Sequence, residues 1–157
     1  MHHHGYTWVG EKSRFDQEGI RRPAPVDPVP GCDPDVVQRH RQALAEFPVS
    51  DVPPIETARW LVKPAGFIRG TWQDPKSAAE WLEGQLLEYA PRFDSAFERD
   101  PNRIEHATMS AMGRLAWGGD VSVGAYLDRP LFLCLTLVTC SPNHAAPELP
   151  CPRTRET

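Results

Sequence analysis

The sequence predicts an α+β fold: three main helices packed on a small, mostly antiparallel sheet that contains a C-terminal hairpin. Three observations carry this. Three Asp-Pro pairs, at residues 33–34, 74–75 and 100–101, each stand ahead of an amphipathic stretch. After Gly118 and Gly119 the apolar spacing changes from the helical period to strict alternation. Beyond a turn at 128–130, residues 131–139 are apolar at nearly every position, which is the pattern of a strand covered on both faces.

The Asp-Pro pairs are helix starts. The aspartate accepts hydrogen bonds from the unbonded N–H groups of the first turn, and a proline at the first helical position lacks an N–H that would have no partner anyway. The first helix is expected over 34–46, with Val37, His40, Leu44 and Phe47 on its inward stripe and Pro48 as its stop. The second, over 75–90, buries Ala78, Leu82, Leu86 and Tyr89 and turns Glu80, Glu83 and Glu88 toward water, up to Pro91. The third, over 101–117, carries Ile104, Thr108, Ala111, Met112 and Leu115 on one face and ends in the Gly118-Gly119 cap. In the strand that follows, Val121, Val123, Ala125 and Leu127 alternate with Ser122, Gly124 and Tyr126. Asp128, Arg129 and Pro130 then supply the hairpin turn. A hairpin alone cannot bury its second strand, so a third strand is required. The candidates are residues 67–72, which rank first, then 58–63 and 6–9.

The 157 residues suffice for one domain. Proline, 17 in all, crowds residues 23–34 and 142–152, where neither continuous helix nor central strand can run. The expected organisation is a flexible Pro-rich N-terminal arm at 1–32, a single α+β domain at 33–140 and a Pro-rich C-terminal tail at 141–157. A formal charge of -4 removes the electrostatic footprint of a nucleic-acid or anionic-membrane binder. No apolar run is long enough to span a bilayer. The first residues lack the basic and apolar regions of a secretory signal, so the expected location is the cytoplasm.

Four places offer chemistry. Cys140, His144 and Cys151 are the right ligand types for zinc, within a loop able to wrap an ion. A fourth ligand would have to return through space from Cys32 or from His2, His3 or His4. That histidine string is one that affinity tags share, and no function is read from it. Cys140 with His144 is the better thiol–imidazole pair, because Cys134, mid-strand, reads as core. On the polar face of the third helix, Arg103, His106, Ser110 and Arg114 recur at spacings of three and four, which suits an anion or acid–base chemistry with His106 and Ser110. In the N-terminal arm, Tyr6, Trp8 and Phe15 are aromatic anchors for a partner or for the domain itself, and residues 23–30 favour a polyproline helix.

Gly118 and Gly119 lead from a helix into a strand, the reverse of a phosphate-binding loop. The acidic residues of the second helix read as a solvated face. No Walker loop, dinucleotide fingerprint, nucleophile elbow or zinc-protease helix is present. The leading expectation is therefore a non-enzymatic interaction or regulatory protein that binds a protein partner or a small ligand. The alternative is a small zinc-binding protein or Cys/His-dependent enzyme built on the Cys140–Cys151 segment or on the His106/Ser110 face.

Overall fold

The structure, a computed structural model, describes residues 1–25 and 27–155. Val26, inside the expected polyproline segment, and the last two residues of the tail lie outside the described residues. The chain folds as α+β, with helices packed on a four-stranded antiparallel sheet in the order β2-β1-β4-β3. In chain order the strands are β1 (His2–Glu11), β2 (Gly70–Trp72), β3 (Val121–Tyr126) and β4 (Leu131–Cys140). The helices are α1 (Lys12–Phe15), α2 (Pro34–Glu46), α3 (Pro75–Tyr89), α4 (Ala96–Arg99) and α5 (Pro101–Ala116).

All three Asp-Pro starts act as caps: Asp33, Asp74 and Asp100 accept from the backbone N–H of Asp35, Ser77 and Asn102. Gly118, at φ 89°, closes α5 in the left-handed region, with its N–H on the Leu115 carbonyl. The β3–β4 hairpin pairs Val121 with Leu137 through Tyr126 with Phe132.

The strand that β4 needs is chiefly β1, which pairs with it along its whole length from His2–Cys140 to Glu11–Leu131. Residues 2–11, expected in a flexible arm, are thus a buried strand of the sheet. The physical reason is that β4, apolar on both faces, leaves a free edge that only another long strand can satisfy. The first-ranked candidate, 67–72, contributes only the three-residue β2, paired with His3, His4 and Gly5. Residues 58–63 fall largely within a 3₁₀ helix, Thr57–Val62.

Alternation along the strands sorts the core into two layers. On one face, Leu133, Leu135 and Leu137 of β4 and Val121 and Ala125 of β3 meet Ala78, Leu82 and Leu86 of α3 and Ile104, Ala111 and Leu115 of α5. On the other, Tyr6, Val138 and Cys140 meet Trp60, Leu61 and Cys151, while Trp8, Phe132 and Cys134 meet Val52. That second layer is made of loops, 3₁₀ turns and the C-terminal tail. α2 departs from its expected stripe: His40 and Phe47 are buried, whereas Val36 and Leu44 are exposed. It lies off the sheet against the proline segment at Pro25 and Pro28, which covers only part of the stripe. Among the described residues no helix is long and apolar enough to cross a membrane.

Candidate metal centre

A β-strand turns alternate side chains to the same face, so His2 and His4 point together onto the loop-covered side of the sheet. Cys140, the last residue of β4, is the cross-strand partner of His2. The fourth group arrives from the tail: Cys151 is buried against the same cluster. Two local features hold it there. Asn143 is fully enclosed; its amide nitrogen donates to the Asp120 carboxylate and to the Thr139 carbonyl, and its oxygen accepts from the N–H groups of Ala145 and Ala146. Past Cys151, the Arg155 guanidinium donates to the carbonyls of Leu61, Val62 and Lys63 and so fastens the tail to the end of the Thr57–Val62 turn.

One ligand atom from each of His2, His4, Cys140 and Cys151 lies within 4.8 Å of all the others. Ions of zinc type hold nitrogen at about 2.05 Å and sulfur at about 2.3 Å, so on a regular tetrahedron the ligand atoms stand about 3.3 Å (N to N) and about 3.6 Å (N to S) apart. Here His2 Nε2 is 3.1 Å from His4 Nε2, and Cys151 Sγ is 3.6 Å from His2 Nε2 and 3.4 Å from His4 Nε2. These three separations match one triangular face of a tetrahedron to within a few tenths of an ångström, and the Cys140 sulfur stands within 4.8 Å of all three atoms.

No protein-family model matches the chain, and no curated protein or solved structure is significantly similar to it.

Electrostatics suit the same use. Burial lowers the pKa of His2, with help from the amino terminus and Arg153. His4 is pushed down to about 4 by burial first, then by His2, Arg153 and His3. Both rings are therefore neutral near neutral pH, the form that ligates metal. His4 Nδ1 sits 2.8 Å from Thr71 Oγ1, which orients the ring with Nε2 toward the cluster. Burial pushes the Cys140 thiol up to about 11, so a metal must displace its proton.

The sequence reading placed Cys140 and Cys151 in the candidate set and offered Cys32 or one of His2, His3 and His4 as a fourth group returning through space. The third, His144, is a correction. It is exposed and lies edge-on to Trp117, with ring centroids 5.6 Å apart, because the Asn143 turn directs it away from the cluster. That also removes the Cys140–His144 pair. Cys32 is a free, half-buried thiol outside the cluster. What was missed is that two of these histidines join together: His-x-His at 2–4 puts His2 and His4 on one face once residues 2–11 are read as a strand.

The other candidates fall as follows. Tyr6, Trp8 and Phe15 do not form a partner surface. Tyr6 stacks on Trp60 at 4.5 Å, and Trp8 packs on Phe15, which in turn meets Phe132, because a central strand buries its aromatics within its own domain. Arg103, His106, Ser110 and Arg114 line one cleft of about 280 Å³ between α5 and the edge strand β3, with Glu98 at its rim. Cys134 is core, with burial raising its pKa.

Proposed function

We propose that this protein binds one zinc ion through His2, His4, Cys140 and Cys151, and that the ion serves as a structural tie between the first strand and the C-terminal tail. The observation that carries the reading is the spacing of the ligand atoms, all within 4.8 Å and with three of their separations near tetrahedral edges. Two nitrogens with two sulfurs in that geometry favour zinc over magnesium or calcium, which take oxygen ligands. The four ligands would fill every position of a tetrahedron with protein, and His4, Cys140 and Cys151 are buried. A catalytic zinc keeps one position open for water or substrate, so the closed set supports a structural role. Zinc supplies a crosslink there; the chain supplies the sheet that holds three ligands and the Asn143 turn that returns the fourth.

The test is metal analysis of protein carrying no affinity tag, followed by titration of the chelator-treated protein with zinc and with cobalt(II). One equivalent of zinc is expected, with thiolate-to-metal charge transfer and tetrahedral d–d bands in the cobalt form. Cys151→Ser and His4→Ala should abolish both, while His144→Ala and Cys134→Ser should not. Failure to take up one equivalent, or uptake indifferent to Cys151→Ser and His4→Ala, would refute the reading.

A further inference from the structure

β1 has ten residues and β2 has three, so the two strands pair only from His3 to Gly5. In an antiparallel strand, N–H and C=O of one residue point to the same side, and the side alternates from residue to residue. Gly5 faces β2, since its carbonyl accepts from the Arg69 N–H. Thr7 and Val9 share that parity and direct their main-chain groups to the same side, beyond the end of β2. Among the described residues no backbone group bonds to Thr7 or Val9 on that side, which leaves an unfilled stretch of sheet edge.

Beneath that edge is a groove of about 500 Å³ whose walls are Thr7 and Val9 on one side and Trp81, Gln85 and Tyr89 of α3 on the other. The three α3 residues are spaced by four, so they form one wall. Arg69 stands at the end of the groove where β2 begins, exposed, and among the described residues it makes no ion pair. An extended chain laid antiparallel to β1 in this groove would lie in line with β2, and its last residue would stop against Arg69.

We infer that the groove between β1 and α3 binds the free C-terminal end of an extended peptide, which adds a strand beside Thr7 and Val9 and places its carboxylate on Arg69. Main-chain hydrogen bonds to the strand edge supply affinity without regard to sequence. Every second side chain of the peptide falls toward Trp81 and Tyr89, which selects apolar or aromatic residues there. The guanidinium fits a terminal carboxylate by charge and by its paired donors. Occupation of the groove would also protect the open edge from pairing with a second copy of the chain.

The proposal is tested by fluorescence polarisation on the full chain. The probes are fluorescein-labelled hexapeptides of alternating threonine and valine, the last residue varied through all twenty types, each made with a free carboxylate and with a C-terminal amide. Saturable binding of free-acid peptides is expected, weakened about tenfold by amidation and about tenfold by Arg69→Gln. Val9→Pro, which removes an N–H that faces the groove and not β4, should weaken it further while the chain still melts cooperatively. Absence of binding up to millimolar peptide would overturn the proposal, as would binding indifferent to amidation and to Arg69→Gln. A concentration-dependent dimer that Val9→Pro dissolves would overturn it too, by assigning the edge to a second copy.

Discussion

Asn143→Ala tests how the tail is returned to the sheet. The side chain is 1 % exposed and makes contacts in both directions. Its amide donates at 3.0 and 3.1 Å to the two oxygens of Asp120 and at 2.8 Å to the Thr139 carbonyl, and its oxygen receives N–H groups at 2.9 and 3.0 Å. Of the groups released by the substitution, Ala145 is exposed and its N–H can turn to water. The Ala146 N–H is enclosed and cannot. An unsatisfied enclosed N–H costs about 1 kcal/mol, and the lost bond to a carboxylate about 2 kcal/mol, for a total of about 3 kcal/mol. Asp120, whose pKa burial already raises against the donation of Thr139 and Asn143, should rise further. Urea unfolding in the presence of chelator measures the effect without metal; the midpoint should fall by about 1.5 M at an m-value of about 2 kcal/mol per molar. Repetition with zinc should show a weaker zinc affinity as well, since the same turn carries Cys151 to its position. A loss below about 1 kcal/mol would refute the argument, because the turn would then be held by something other than this amide.

Two further perturbations have signs that the structure decides. Lys63 is fully buried, donates to the Phe47 and Ser50 carbonyls, and has its pKa pushed by burial down to about 8. The unfolded chain keeps that proton to about pH 10.4, so between these values it binds more protons than the folded one and stability from this group rises with pH, by up to about 3 kcal/mol. The stability advantage of the wild type over Lys63→Met should therefore widen from pH 8 to pH 10; a pH-independent difference would contradict it. At Gly5 an added methyl would sit 2.9 Å from Trp72 and Trp81, whereas at Gly66 it would meet nothing within 4 Å. Gly5→Ala should lower stability by about 2 kcal/mol and Gly66→Ala should leave it within about 0.5 kcal/mol, both read from thermal melts. Equal melts for the two would show that the paired indoles can move aside.

Local chemistry made much of the fold legible. Asp33, Asp74 and Asp100 begin helices because a short carboxylate and a following proline solve the same problem at the same place, and the solution involves no distant residue. The glycine cap after α5 and the turn at 128–130 are likewise decided within a few positions of chain. The buried faces of α3 and α5 followed largely from their period, since Ala78, Leu82, Leu86, Ile104, Ala111 and Leu115 pack on the sheet, although Met112, expected beside them, is exposed. α2, with an equally periodic stripe, does not lie on the sheet, and Leu44 stands exposed for that reason.

The sequence by itself also determined that β4 must be central, since a strand apolar on both faces has to be covered on both. Which strand covers its other edge was decided only by tertiary structure. His2–Glu11 begins with three histidines and a glycine and precedes a proline-rich stretch, so it read as part of an arm, yet paired with β4 it places His2 and His4 beside Cys140. Cys151 is distant in sequence from both histidines and reaches them because Asn143 folds the tail back onto the sheet and Arg155 fastens it beyond. The proposed cluster of His2, His4, Cys140 and Cys151 depends on strand register and on the Asn143 and Arg155 contacts that return the tail, and neither has a signature in the spacing of these residues.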